Sequence, residues 1–318
     1  MKLQTQIPLS PAKTKIDYHS QLVLMGSCFV RNMGKKLDYF KFQNLQNPLG
    51  ILFHPTAIEN LISRAIDQVV FTDRDVFFHN DRWYCFAAHS DLSKVSREKL
   101  ILELNQGLKR MEMQLEKSTH IIFTLGTAWV YRHRKTNTLV ANCHKIPQKE
   151  FDKELLAIEA IVKNLESVMN HIRSTNKKAQ VIFTVSPVRH LKDGFVENQR
   201  SKAHLIAGIH KWLETSSLAT QSSYFPAYEL MMDELRDYRF YETDMIHLNP
   251  LAIDYIWEKF MQTWIREEAF STMGKVDIIQ KGLTHRPFYP DSESHQKFEK
   301  SLREKITYLQ KGYPFMEF

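Results

Sequence analysis

Asp244 and His247 stand three residues apart in "ETDMIHLNPLAIDYIWEKF" (242–260), just ahead of an amphipathic run. A carboxylate at that spacing can fold back on one imidazole nitrogen and fix the tautomer, leaving the other nitrogen to act as a base. Asn249 and Pro250 are the residue types favoured at the N-cap and first position of a helix, so the pair belongs to the loop that enters one. A capped helix with incidental polar neighbours would use the same letters. The second place to look is "LVLMGSCFVRNMGKK" (22–36), where Ser27 follows a buried strand and Gly26. Glycine permits a tight backbone there, and a small polar residue behind it is lifted to the mouth of a sheet, where open α/β folds keep their chemistry. A serine hydroxyl needs a neighbouring base and an oriented imidazole before it attacks a carbonyl. Ser27, His247 and Asp244 supply those three parts. Cys28 is an alternative thiol nucleophile, although a cysteine entering a helix after a strand more often serves packing.

For these residues to meet, the chain must bring residue 27 and residue 247 to one edge of a sheet. Residues 21–27, 120–126 and 179–187 are near-continuous apolar runs, the pattern of strands buried on both faces. Helical periodicity fills about 94–117 and 152–174, the latter through Ile158, Ile161, Val162, Leu165 and Ile172. Strands alternating with helices predict a mainly parallel sheet flanked on both faces, with 222–230 as its last strand. Both the end of the first strand and the start of the last large helix then fall on the carboxyl-end rim. Two segments depart from the alternation and are expected to form β-hairpins beside the sheet. One is 75–87, turning at Asn80-Asp81, and the other is 128–144, turning near 135–137. Residues 270–292 are expected to be irregular and 295–311 to form a helix that packs back on the body.

A nucleophilic serine after the first strand, a later glycine at a strand end and a terminal D-x-x-H resemble the pattern of SGNH (GDSL-like) hydrolases. "GSCFV" (26–30) further resembles the motif that names the GSCFA-domain family, a bacterial branch of that superfamily. "NPLGILFHPTAI" (47–58), "FTLGTAWVY" (123–131), "SPVRH" (186–190) and "DMIHLN" (244–249) are similar to that family too, in order, over roughly residues 20–265. The resemblance implies a flavodoxin-like three-layer α/β/α sandwich over residues 1–269 with a C-terminal extension at 270–318. It also implies an acyl-ester hydrolase or acyltransferase in which Ser27 is the nucleophile, His247 the base and Asp244 the orienting acid. The superfamily's oxyanion hole combines the nucleophile's N–H with a glycine N–H and an asparagine side chain. Gly50 is a candidate for that glycine and Gly126 for the later one. Thr127 stands where asparagine is usual, and Asn47 is an alternative third donor. Arg189 and His190, after the third long strand, are expected on the same rim, where they would bind an anionic or hydroxyl-rich substrate or form a loop salt bridge. His54 reads as a helix-entry residue, and His89 as one that overhangs the site.

Composition narrows the remaining choices. With 318 residues, 43% hydrophobic and 25% charged, the chain is an ordinary globular one, and its net charge of +7 is spread along it without a nucleic-acid-binding motif. Three distant cysteines, Cys28, Cys85 and Cys143, form neither a zinc pattern nor a disulfide framework, which fits a reducing cytoplasm. The N-terminus has no apolar core of signal-peptide length, and no stretch approaches the ~18 apolar residues of a membrane helix. A phosphate loop at 26–36 is disfavoured, because seven residues separate Gly26 from Gly34 where that loop has four. No metal and no cofactor is therefore expected, and the partner is a small-molecule or saccharide ester. Acetyl groups on polysaccharide are the expected substrate, with Trp83, Tyr84, Trp129 and Tyr131 available to stack on sugar rings or to pack the hairpins. A non-catalytic carbohydrate-binding protein of the same fold is the reading from a different class.

Overall fold

The unbroken apolar runs are strands with two dry faces. The computed structural model describes residues 4–318; residues 1–3, where the reading of the N-terminus begins, lie outside the described residues. Its strands are β1 (Leu22–Gly26), β2 (Asn44–Gln46), β3 (Val76–His79), β4 (Arg82–Cys85) and β5 (His120–Leu125). They continue with β6 (Trp129–His133), β7 (Thr138–Val140), β8 (Phe151–Leu155), β9 (Gln180–Val185) and β10 (Ser222–Tyr224). Five of them form one parallel sheet in the order β10-β9-β5-β1-β2. Numbering only these five along the chain gives 2-1-3-4-5, the flavodoxin-like doubly wound order, whose switch point falls between β1 and β5.

Successive side chains of a strand point to opposite faces, and here each set enters a separate core. Val23, Met25, Ile121, Phe123, Val181 and Phe183 pack in one core with α2 (Pro55–Ile66), α3 (Arg97–Lys117), α4 (Ile158–Thr175) and α5 (Phe195–Thr215). On the other face Leu22, Leu24, Ile122 and Ile182 meet α1 (Phe29–Tyr39), α6 (Ala227–Glu229, running on into a π-helical turn at Leu230–Glu234) and α7 (Pro250–Trp264). This is the expected three-layer α/β/α sandwich. Among the described residues no helix is long and apolar enough to cross a membrane.

The first hairpin, β3–β4, turns at Asn80 and Asp81 with φ of 43° and 58°, the left-handed pair that a two-residue I′ turn requires. The second is larger than expected. β8 pairs antiparallel with β6 and completes a three-stranded sheet, β7-β6-β8. The helical periodicity from 152 onward therefore starts too early, and α4 begins at Ile158. Pairing overrides local helix propensity here, with Arg132 bonded to Glu154 and Arg134 to Asp152 across the two strands.

A second correction concerns 270–292. Most of it is helix, α8 (Glu267–Thr284), followed by α9 (Glu293–Gly312). The prolines that break the chain, Pro287 and Pro290, lie beyond it. Met273, Val276 and Ile279 recur on one stripe and join the same core as α1 and α7. Residue 269, the last before the expected C-terminal extension, lies in α8.

Gly26 ends β1 with φ +141°, and a β-carbon there would run into the Thr124 carbonyl of β5. Gly274 lies in the interior of α8 with nothing within 4 Å of such a carbon. Gly26→Ala should therefore lower stability by at least ~2–3 kcal/mol through strain and collision. Gly274→Ala should raise it by ~0.5–1 kcal/mol through helix propensity. Paired thermal melts check both signs.

Candidate active site

Three strand ends converge on Ser27. Its N–H donates to Thr124 O at 3.0 Å, and the Gly26 N–H before it donates to Asn47 Oδ1 at 2.9 Å. Leu52 N–H closes on Gly26 O at 3.2 Å. Gly126, at the end of β5, faces the serine: a β-carbon on it would lie 3.2 Å from Ser27 Cβ and 2.8 Å from Phe53 Cβ. The Ser27 side chain is buried at 4% exposure, and its Oγ accepts the Phe29 N–H at 3.3 Å from the first turn of α1. Cys28, half-buried, has its thiol pushed up by burial, with Lys202 pulling the other way, so it is not disposed to ionise.

Most of the expected oxyanion donors are already engaged. The Gly50 N–H donates to Asn47 O at 2.8 Å, and the Gly126 and Thr127 N–H groups both donate to Phe53 O, at 2.7 and 3.1 Å. Thr127 Oγ1 shares a hydrogen with Ser201 Oγ at 2.9 Å and accepts the Trp129 N–H at 3.0 Å, so the hydroxyl serves the turn into β6. Gly50 has φ +77° and presses on His89, leaving no room for a side chain. Asn47 differs from all of these. Its oxygen is identified by the Gly26 N–H it accepts, so its NH2 is the group left over, and that Nδ2 is buried without a partner among the described residues. A buried unpaired donor costs roughly 1–3 kcal/mol and calls for a reason.

The sequence reading passed over Lys202. Fully buried in α5, its ammonium donates to Gly126 O at 2.7 Å and Ser186 O at 2.8 Å, tying together the ends of β5 and β9. Burial pulls its pKa down to about 7, with Cys28 opposing. A signal was present: Lys202 stands on the helical stripe of Leu205, Ile209 and Trp212, where a charge is out of place.

Asp244 and His247 form the expected pair. Asp244 Oδ2 and His247 Nδ1 are 2.6 Å apart, and Oδ1 accepts the N–H groups of Ile246 and His247, each at 2.9 Å. The His247 bond, joined by these backbone donors, holds the Asp244 carboxyl down at about 2. The loop is braced by Glu242 N–H on His247 O at 2.7 Å and by Asn249, which caps α7 through the Ala252 N–H. Both side chains are open to solvent, His247 at 54% and Asp244 at 45%.

Helix packing sets the height of this pair. Lys36 of α1 bonds Asp254 of α7, and Phe40 stacks on Trp257 with centroids 5.9 Å apart, so the two helices run in the same direction. At ~1.5 Å per residue, Pro250 and Phe29 lie about 6 and 10 Å back from those contacts, on the same rim. Among the described residues no hydrogen bond joins Ser27 to His247. The serine hydroxyl is turned to Phe29, and the imidazole to Asp244.

Arg189 and His190 follow β9 on this rim. Arg189 donates to Tyr241 OH at 2.9 Å and lies over the Tyr241 and Tyr238 rings, beside the dyad loop. His190 Nδ1 meets Asp193 at 3.0 Å, and its ring packs on Phe53 at 5.6 Å. On the far side of Phe53 and Thr127 opens a cavity of about 270 Å³, walled by Trp129, Tyr131 and Phe151 and bordered by His190 and Lys192. Two histidines line it with both ring nitrogens used. His54 accepts the Ala57 N–H as the cap of α2 and donates to Val140 O at 3.1 Å. His144 bonds Cys85 O at 2.7 Å and Ser90 Oγ at 2.9 Å. Trp83 and Tyr84 of the first hairpin are taken up by packing, against Phe78 and Arg97 and against Phe77 and His144. Among the described residues no group of three His, Cys, Asp or Glu is placed to hold a metal ion.

A family model described as "GSCFA family" matches residues 21–260, and one described as "GSCFA domain protein, C-terminal domain" matches residues 276–318. The first spans β1 to α7, and with them Ser27, Asn47, Asp244 and His247. No curated protein matches the chain.

Burial lowers the His54 and His144 pKa values to about 4, so the fold holds both rings neutral while the unfolded chain protonates them near 6.5. Their contribution is fully present above pH ~6.5 and is lost as pH falls toward ~4, by up to roughly 3 kcal/mol for each ring. Urea denaturation between those limits should show stability falling with acid. The slope should flatten in His54→Asn and His144→Asn, each of which stays neutral at both ends.

Proposed function

The chain belongs to the GSCFA family, and from that premise we propose that it is a serine esterase of the SGNH type. It cleaves a short acyl ester, acetate on a saccharide foremost, through an acyl-Ser27 intermediate. The observation that carries the reading is the Asp244–His247 pair: a carboxylate fixed on Nδ1 leaves Nε2 exposed, on the rim from which Ser27 opens α1. In that orientation Nε2 is the unprotonated nitrogen and can take a proton.

The chemistry follows from the parts. Ser27 Oγ turns about χ1 away from the Phe29 N–H and attacks the ester carbonyl while His247 Nε2 takes its proton. The carbonyl becomes a tetrahedral oxyanion, and the unpaired Asn47 Nδ2 is the donor available to it, the Thr127 hydroxyl being committed to Ser201 and Trp129. The imidazolium then protonates the departing alcohol as the C–O bond breaks, and acyl-Ser27 remains. Water gives a proton to His247 and adds to the acyl carbon; His247 then returns that proton to Ser27 Oγ as the acyl–oxygen bond breaks, releasing the acid and restoring both residues. A second alcohol in place of water turns hydrolysis into transfer with the same residues. The chain's three cysteines form no disulfide, in keeping with a reducing cytoplasm.

Fluorophosphonate should label the protein, and p-nitrophenyl acetate and acetylated xylan should be turned over. Ser27→Ala should abolish labelling and lower turnover by ~10⁴-fold or more, with His247→Ala close behind, since nucleophile and base fail together. Asp244→Asn should lose less. Asn47→Asp keeps the acceptor for Gly26 N–H and removes the donor, so kcat should drop about 100-fold, whereas Thr127→Ser should change it little. Equal rates for the wild-type and Ser27→Ala proteins would overturn the reading.

A further inference from the structure

The cavity beside the β6–β7 hairpin has a charge pattern that the reaction at Ser27 does not require. None of its lining residues is Asp or Glu. Lys145 and Lys192 border it, and neither forms a salt bridge among the described residues. Several acidic groups around it are already matched. Asp193 is held by Lys153 at 2.7 Å, His190 at 3.0 Å and Tyr131 OH at 3.1 Å. Burial pushes the Asp193 carboxyl up, but the bonds from His190 and Lys153 outweigh it and hold it well below the usual carboxylate range. On β8, Asp152 and Glu154 are paired with Arg134 and Arg132, and Asp91, next to the lining residue Ser90, is paired with Arg31. His54 and His144 are kept neutral by burial. Lys145 and Lys192 thus stand without a salt bridge among the described residues at an opening whose own lining holds no carboxylate, while Glu150 and Glu197 lie outside that lining.

Its hydrogen-bonding capacity has the same bias. Asn142 Oδ1 accepts the His144 backbone N–H at 2.8 Å, which leaves the Asn142 NH2 as the group without a protein partner among the described residues. At about 270 Å³ the space lies just below the ~300–1,000 Å³ usual for small-molecule sites, room for one sugar-sized unit and not for a chain. Trp129 and Tyr131 supply an apolar wall. Phe53 borders both this space and Gly126, whose other neighbour is Ser27.

We propose that this cavity binds a sugar-sized polyol carrying one anionic group, a phosphate or a carboxylate, drawn in by Lys145 and Lys192 and hydrogen-bonded by Asn142. That this polyol is the alcohol half of the ester handled at Ser27 rests on the reading above; the binding itself does not. Attraction by solvent-exposed ammonium groups is screened by salt, so affinity falls as ionic strength rises.

Titration calorimetry on the full chain decides it, with glucose 6-phosphate, glucuronate and glucose as probes. The two anionic sugars should bind at least about tenfold more tightly than glucose, and the preference should shrink between ~0.05 and ~0.3 M salt. The ratio between the two anionic sugars distinguishes phosphate from carboxylate. Lys145→Gln and Lys192→Gln should each weaken the anionic sugars several-fold, and together erase their advantage over glucose. Both side chains are at the surface, so melting temperatures should hold; should either variant fail to fold, the salt dependence of the wild-type preference decides alone. Ser27→Ala should bind all three as the wild type does. The two claims separate in the wild type, where sugar binding without esterase activity would sink the reaction and leave the cavity's role intact. Glucose binding as tightly as the anionic sugars, no binding by any of them, or an anion preference that survives the double substitution would overturn the proposal.

Discussion

A parallel sheet ends in unpaired backbone groups, and here those ends are covered by helices and loops, so each group needs a partner that water cannot supply. The carboxyl-end rim answers that need in one connected network. Ser27 N–H is received by Thr124 O, Ser186 N–H by Leu125 O, and the Lys202 ammonium by both Gly126 O and Ser186 O. Gly26 N–H is received by the Asn47 side chain. These bonds place β1, β5 and β9 flush with one another and leave Ser27 at the switch point. Only glycine fits at 26, because the network draws β1 onto the Thr124 carbonyl.

The same network sorts the polar groups of the rim. Where a donor can close a turn it does so, and Gly50, Gly126 and Thr127 are spent in that way. Asn47 cannot: one end of its amide is claimed by Gly26, and the geometry that satisfies that bond leaves the other end without a partner. Residue type alone would rank Thr127 with Asn47 as donors. Their difference is one of bookkeeping, the threonine hydroxyl being committed to Ser201 and Trp129.

The nucleophile and the dyad come from opposite ends of the chain and reach one rim through helix packing. The α1–α7 contacts at Lys36–Asp254 and Phe40–Trp257 set their common height. The dyad is local, built within four residues, and forms without help from Ser27. The serine is equally self-contained, bonded to its own helix. Catalysis as proposed asks the serine hydroxyl to leave the Phe29 N–H and meet His247 Nε2. Several reactive residue types nearby serve the fold: His54 caps a helix, His144 bonds a strand end, and burial pushes the thiols of Cys85 and Cys143 up to about 11.

Local regularities were legible from the amino-acid sequence. The apolar runs of β1, β5 and β9, the I′ turn at Asn80-Asp81, the Asn249-Pro250 helix entry and the closure of Asp244 on His247 depend on neighbours within a few residues, and side-chain type and spacing determine them. What depended on distant partners was not legible. Phe151–Leu155 became a strand because β6 lay beside it, and residues 267–284 became a helix whose stripe found a core made by α1 and α7. Lys202 has meaning only against Gly126 and Ser186, 76 and 16 residues away. Whether a donor is spent or free, as between Thr127 and Asn47, is settled by which groups the fold brings within reach. That is a property of the tertiary structure, because a hydrogen bond is satisfied by distance and direction and not by order along the chain.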